Sequence, residues 1–199
     1  MPNNVDLLDV IKKRRTIRKY KNDEVPREVV EKLIDAARWA PSAHNLQPWK
    51  FVVIDDREKI KQIGDLLEKE ADKLFCGLNI IVRESARNIG KAPLLMMIYE
   101  NGTVKKKFGR LGEFYDEIGR KYEIQSVAAA IENMLLYSSC LNIGAAWYGI
   151  VLVCEDTINK VLKQSEKLSA VLTFGYIDDN SEIVQSKRKA LSDIVHYVG

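Results

Sequence analysis

Between Ile124 and Leu141 the chain places apolar groups on almost every side of a helix: Val127, Ala128, Ala129, Ala130, Ile131, Met134, Leu135 and Leu136. A surface helix keeps a polar face, so a helix this apolar has to be covered by the fold or by a second subunit. The remaining segments supply candidate cover. Phe51–Ile54 reads as a buried strand ended by Asp55-Asp56, and Leu94–Tyr99 as another, closed by the turn pair Asn101-Gly102. Strands are also expected at Ala145–Val151 and Ala170–Tyr176, flanking a short helix. Helices are predicted over Asp6–Lys13, capped by Asn3 or Asn4, and from Pro26, carrying Val30, Leu33, Ile34 and Ala37 on one face and stopping before Pro41. A charged helix follows at Glu58–Lys73, and a tail begins at Asp178. Strands interleaved with helices predict an α/β or α+β sandwich around one sheet.

A chain of 199 residues without internal repeat or Pro/Gly linker is expected to form one domain over 1–199. Its composition, 46% hydrophobic and 30% charged, is ordinary for a soluble protein. A net charge of +3 is too small to point to nucleic acid, so any role for basic residues has to come from local clusters. The longest apolar run, Ala92–Tyr99, falls far short of the ~20 residues of a membrane span. Met1–Asp6 lacks the apolar stretch of a signal peptide. Cys76, Cys140 and Cys154 show no CxxC spacing and leave one unpaired, so they read as free thiols, with a cytoplasmic location expected. Neither a metal-ligand cluster nor a Ser/His/Asp or paired-carboxylate constellation stands out.

Two segments do carry chemistry. Arg14, Arg15, Arg18 and Lys19 place four cations within Arg14-Arg15-Thr16-Ile17-Arg18-Lys19-Tyr20, where the first helix should end. They read either as a solvated helix C-terminus, whose dipole favours cations, or as an anion site, because guanidinium binds phosphate with paired charge-assisted hydrogen bonds. Downstream, Pro41 and Pro48 bracket Ser42-Ala43-His44-Asn45-Leu46-Gln47 and forbid regular structure between them. Ser42, Asn45 and Gln47 fill this rigid loop with compact donors and acceptors. Such a loop can read a heterocycle edge, or it can be a turn satisfying its own backbone. His44 reads as an exposed loop histidine rather than a general acid, and Trp49 as a core residue opening a strand.

Taken together, Arg14-Arg15-Thr16-x-Arg18-Lys19-Tyr20, a helix entered through Val25-Pro26, and Ala36-Ala37-Arg38-Trp39-Ala40-Pro41-Ser42-x-x-Asn45-x-Gln47-Pro48-Trp49-Lys50-Phe51 resemble the FMN-dependent nitroreductase family. Ala92-Pro93 before an apolar strand, Ala130–Leu136 with Leu141-Asn142-Ile143-Gly144, Trp147-Tyr148-Gly149, Phe174-Gly175-Tyr176 and Lys187-Arg188-Lys189-Ala190-Leu191 extend the likeness over nearly the whole chain. The segment from about Gly64 to Tyr122 matches poorly apart from Ala92-Pro93 and its strand.

The resemblance implies an α+β nitroreductase-like sandwich, its central, mostly antiparallel sheet flanked by helices, in an intertwined homodimer with interfacial FMN sites. Carried over by position, Arg14, Arg15, Thr16 and Arg18 would hold the FMN phosphate and ribityl chain. Lys187 and Arg188 would reach the same phosphate, with Lys189 as the register-shifted alternative. Pro41, Ser42, Asn45 and Gln47 would line the flavin from the other subunit, and the backbone of Tyr148-Gly149-Ile150 would donate to flavin N5. A compact cation cluster without a GxGxxG turn favours FMN over FAD. The activity implied is hydride passage from NAD(P)H to a nitroaromatic, quinone or related small-molecule acceptor by ping-pong turnover, without a catalytic side chain. Alternatives are a specialised branch, such as a reductive dehalogenase or flavin-fragmenting enzyme whose lid would use Phe108, Phe114, Tyr115 and Tyr122, or a flavin-binding redox protein with little turnover.

Overall fold

The computed structural model describes residues 6–181 and 183–199. In chain order its elements are α1 (Leu7–Lys13), α2 (Arg27–Arg38), β1 (Trp49–Ile54), α3 (Arg57–Ala71), α4 (Leu78–Gly90), β2 (Leu94–Glu100), α5 (Thr103–Gly109), α6 (Glu113–Cys140), β3 (Ile143–Tyr148), α7 (Glu155–Leu162) and β4 (Lys167–Tyr176). The strands form one antiparallel sheet in the order β1-β2-β4-β3.

The pleat decides which layer each residue joins. In β2, Leu94, Met96 and Ile98 face one core with Val127, Ala130, Ile131 and Met134 of α6 and Leu33 and Ala37 of α2. Leu95, Met97 and Tyr99 face the other, with Ile60, Ile63 and Leu67 of α3, Val82, Ala86 and Ile89 of α4 and Ile158 of α7. Both faces being covered, β2 is a continuous apolar run rather than an alternating one, as a strand buried on two sides requires. The result is the α+β sandwich expected, with α2 and α6 on one face and α3, α4 and α7 on the other.

Several boundaries differ from the sequence reading. Asn3 and Asn4, the expected caps of α1, lie outside the described residues; the observed cap is Asp6, whose carboxylate accepts from the Leu8 N–H at 2.9 Å. Pro26 occupies the capping position of α2 rather than its first turn. β1 is an edge strand, and Val53 on it is exposed rather than buried. β3 runs from Ile143 and stops at Tyr148, short of the expected Val151, because the chain turns helical at Gly149 and enters a 3₁₀ segment at Ile150–Cys154. The largest difference is in α6, which starts at Glu113 instead of near Ile124. Its first half is polar, held by pairs such as Lys121–Glu117 at 2.8 Å, and therefore lacks the apolar signal of the second half. α4 and α5 fall in the poorly matched segment and had no expected counterpart.

The sheet is tightest at Gly175 of β4. A Cβ there would stand 2.4 Å from Pro93 Cγ and 2.9 Å from Tyr20 Cδ1, so a proline ring and a buried phenol already occupy the space. Gly175→Ala is expected to destabilise the fold by about 1–3 kcal/mol, the usual scale of overpacking. Chemical denaturation checks this, and an unchanged midpoint would show that the strand can shift to make room.

Candidate functional site

The basic segment begins where α1 ends. Arg14 caps that helix, its N–H donating to the Val10 carbonyl at 2.9 Å. The chain then lies along the free edge of β3: Thr16 pairs in parallel with Ala145, the Ile17 N–H donates to the Ala145 carbonyl at 2.8 Å, and Tyr20 bridges Ile177. Ile17 and Tyr20 pin this strap. Ile17 is buried, and the Tyr20 hydroxyl donates to the Ile17 carbonyl at 2.5 Å and sits 2.7 Å from Thr173 Oγ1. Burial pushes the Tyr20 phenol far above its ordinary pKa, so it stays a neutral structural group.

With those side chains turned inward, the cations are left at the surface. Thr16, Arg18 and Lys19 are exposed, whereas Arg14 and Arg15 are half-buried. Arg14 Nε lies 3.8 Å from Glu132 Oε1 on α6. Arg15 Nη1 donates to the carbonyls of Lys12 (2.5 Å) and Arg14 (2.7 Å), while its Nε is buried with no hydrogen-bond partner among the described residues. The helix-end reading is met in part by Arg15, whose Nη1 satisfies two carbonyls, while its Nε is left unused among the described residues. Arg15 also lines a cleft of about 230 Å³ with Lys13, Ser139 and Asn142.

The proline-bracketed loop contains a short 3₁₀ turn at Ala43–Asn45. Its backbone is unusual: His44, Asn45 and Gln47 all take left-handed conformations, with φ of 51°, 53° and 48°. Non-glycine residues adopt this region rarely and at a cost that surrounding contacts have to offset. Here Ser42 Oγ accepts from the Gln47 N–H at 3.1 Å, and the Ala43 N–H donates to Ser126 Oγ on α6 at 3.2 Å. Ser126 in turn donates to the Tyr122 carbonyl at 2.6 Å. The loop thus satisfies its own backbone and is also tied to α6, leaving Asn45 and Gln47 exposed with their amides 3.4 Å apart.

Pro41, Ser42 and His44 face Tyr122, Gln125 and Ala129 of α6 across a cleft of about 380 Å³. An aromatic wall borders it. The His44 and Phe108 rings lie 5.6 Å apart between centroids, and Phe108 meets Tyr122 edge-on at 5.4 Å. Ser126 was not foreseen as a site residue, because nothing local in the sequence ties that turn of α6 to a loop some eighty positions upstream.

Tyr148 closes β3 with its ring in the core shared with α3 and α4, and its hydroxyl is buried without a hydrogen-bond partner among the described residues. Burial pushes that phenol up as well. At this corner a Cβ added to Gly149 would meet nothing within 4 Å. In the C-terminal segment Ile183 reaches the Arg15 cleft. Lys187, Arg188 and Lys189 beyond it are exposed, with Arg188 donating to the carbonyls of Ser186 (3.3 Å) and Lys187 (3.1 Å). One chain does not unite the expected residues: the strap and the loop line separate clefts with no lining residue in common. Among the described residues no group of three His, Cys, Asp or Glu side chains is placed to hold a metal, and no helix is long and apolar enough to cross a membrane.

The strap, the loop, the sheet and α6 all fall within the part of the chain, residues 11–176, that matches the profile of the nitroreductase family. The chain belongs to that family. It is 30% identical over 204 residues to an iodotyrosine deiodinase from Nematostella vectensis, covering 93% of this chain and 72% of that one. It is 28% identical over 173 residues to a Methanothermobacter thermautotrophicus protein provisionally named NADH dehydrogenase/NAD(P)H nitroreductase, covering 87% and 75%. Among solved structures, a BluB-like flavoprotein from Clostridium difficile 630 superposes with a TM-score of 0.78 at 28% identity, covering 98% of this chain and all of that one.

Ser126 joins the nitroreductase loop to α6 through a single hydroxyl. Ser126→Ala is expected to lower stability by about 1 kcal/mol and to speed exchange of the Ala43 amide. Hydrogen exchange reads this directly, and unchanged protection at Ala43 would show that the prolines alone hold the loop.

Proposed function

We propose that the protein is an FMN-dependent oxidoreductase that takes hydride from NAD(P)H and delivers it to a nitroaromatic, quinone or related small-molecule acceptor in alternating half-reactions. The observation that carries this reading is Arg15: a half-buried guanidinium with an unpartnered Nε, beside further cations, in a nitroreductase-family chain. The flavoprotein likeness supports FMN, and the name of the Methanothermobacter relative supports NAD(P)H.

The residues present fit the cofactor. Arg14, Arg15, Thr16 and Arg18 would hold its phosphate and ribityl chain, since paired guanidinium donors match phosphate oxygens. Lys187 and Arg188 lie on an exposed segment able to join them. Pro41, Ser42, Asn45 and Gln47 would read the ring edge, and the Tyr148–Ile150 backbone would offer an N–H where no side chain intrudes. When bound, FMN supplies the hydride-accepting and hydride-donating centre; the chain supplies binding, orientation and electrostatics. Cations and N–H groups near the pyrimidine end would favour negative charge there.

A homodimer completes this site. The strap and the loop line different clefts in one chain, which is what a site shared between two copies requires. Exposed apolar residues are available for the contact: Leu7, Leu8 and Ile11 on α1, Ile124 and Tyr137 on α6, and Leu191, Ile194 and Tyr197 near the C-terminus. Obligate interfaces bury surfaces of this kind. The three free thiols agree with a reducing compartment such as the cytoplasm.

A second reading, a specialised enzyme such as a reductive dehalogenase, is supported by the likeness to iodotyrosine deiodinase and by the aromatic wall of the loop cleft. A steady-state screen of nitroaromatic, quinone and halogenated aromatic acceptors separates the two.

Purified protein is expected to be yellow and to release FMN, one per chain, on denaturation; release of FAD or of no flavin would refute the proposal. Arg15→Ala should weaken FMN binding by about 1.5–3 kcal/mol, the scale of a charge-assisted hydrogen bond. Full occupancy after dialysis would reduce Arg15 to a helix cap. His44→Ala should leave turnover within a few-fold, and a loss of about 100-fold or more, the scale of general acid–base catalysis, would make that imidazole a proton-transfer group.

A further inference from the structure

Glu123 is a carboxylic acid almost wholly removed from water, 1% exposed, in the middle of α6. Among the described residues it forms no ion pair within 4 Å, unlike Glu132 and Glu117 on the same helix. The backbone N–H groups of Lys105, Gly102 and Val104 lie toward its carboxyl and favour the charged form, and its Oε1 has no hydrogen-bond partner among the described residues. Burial pushes its pKa upward, and the neighbouring Glu100, itself buried, adds to the shift. Such a group is unfavourable in a core unless it does something an apolar residue cannot.

What it does follows from α5. Only Val104 of that helix is buried, so apolar packing alone holds it weakly. Contact with α6 is nonetheless close: a Cβ on Gly119 would stand 3.0 Å from Phe108 Cβ and 3.1 Å from Lys105 Cα. Glu123 lies one turn further along α6 and gathers the N–H groups that open α5. Its sequence neighbour Tyr122 lines the loop cleft, and Phe108 on α5 bridges Tyr122 to His44. A line of contacts therefore runs from the buried carboxyl, through the Gly102–Lys105 turn, to the aromatic wall.

We propose that Glu123 is a positioning residue that fixes Phe108 against Tyr122 and His44, and thereby shapes the loop cleft to take a planar aromatic acceptor. The proposal rests on the oxidoreductase reading given above. A carboxyl suits the task because it offers acceptor lone pairs to several donors at once, whereas an amide would turn an NH₂ toward backbone N–H groups. Phe108 meets Tyr122 edge-on at the spacing that aromatic pairs prefer, and a flat ring in the cleft can pack against the Tyr122 and His44 rings that line it.

The test compares wild-type holoprotein with Glu123→Gln and Phe108→Ala. Two measurements are made: amide hydrogen exchange over residues 101–112, and steady-state kinetics with menadione, a planar quinone, against dioxygen, which needs no aromatic wall. Glu123→Gln is expected to speed exchange in 101–112 by about tenfold or more, leaving the sheet amides unchanged. It should raise KM for menadione by about five- to tenfold, with kcat, flavin content and the dioxygen rate unaltered. Phe108→Ala should reproduce the KM change without the exchange change at the Gly102–Lys105 turn.

Wild-type exchange in Glu123→Gln, with the Phe108→Ala effect intact, would overturn the role of Glu123 alone. Faster exchange with an unchanged menadione KM would make Glu123 a structural pin only, and the positioning role would fall. If Phe108→Ala leaves menadione kinetics untouched, or no flavin is bound, the acceptor is wrongly placed and the functional reading fails first. Should Glu123→Gln not fold, Gly119→Ala displaces α5 from the same contact by another route. It is expected to raise the menadione KM in the same way, and an unchanged KM would refute the link between α5 and the cleft.

Discussion

The proline-bracketed loop, Arg14 of the strap and α5 all meet α6, and α6 is held in place by one apolar stripe. Val127, Ala130, Ile131, Met134 and Leu135 bury against Leu94, Met96 and Ile98 of β2 and Leu172 and Phe174 of β4. Burial of side chains of this size contributes roughly 1.5–3 kcal/mol apiece, more than any single polar contact around the clefts. The stripe fixes the rotation of the helix, and that rotation decides where its polar groups point. Ser126 is aimed at Ala43, Asn133 donates to the Ala36 carbonyl at 3.1 Å, Glu132 faces Arg14, and Glu123 faces the start of α5. A helix turned by one position would misplace all four.

That arrangement also explains why the strap and the loop line two separate clefts. The strap is fixed to the edge of β3, near the C-terminal part of α6, by Ile17 and Tyr20. The loop is fixed by Ser126 near the middle of the same helix. Both anchors are packed or hydrogen-bonded, so neither segment can swing to the other without breaking them. On the proposed reading, a cofactor site drawing on both segments would be completed by a second copy, with the apolar residues exposed on α1, α6 and the C-terminal segment available for the contact.

The aromatic-walled cleft has a different physical character. It is bordered by α5, whose attachment depends on a buried carboxyl and a close approach at Gly119 rather than on a large apolar face. Segments attached in this way sit at the low end of the stability range within a fold.

Local chemistry made much of this legible in advance. The period of Val30, Leu33, Ile34 and Ala37, the run Leu94–Tyr99, the cations of Arg14–Lys19 and the prolines around Ser42–Gln47 are all properties of neighbours in the chain, and the elements and motifs they imply are present. Contacts between distant residues decided the rest. The left-handed backbone of His44, Asn45 and Gln47 is held by bonds the loop makes with itself and with Ser126. The edge position of β1 follows from strand order, and the start of α6 at Glu113 follows from α5 folding back onto it. The orphaned Arg15 Nε and the buried Glu123 exist only once helices and sheet have excluded water from them. The sequence by itself determined which segments are apolar, which are cationic and where the chain must turn, because those depend on residue type and spacing alone. Only the tertiary structure decided which of those groups meet, because burial and register are set by the packing of α6 on the sheet.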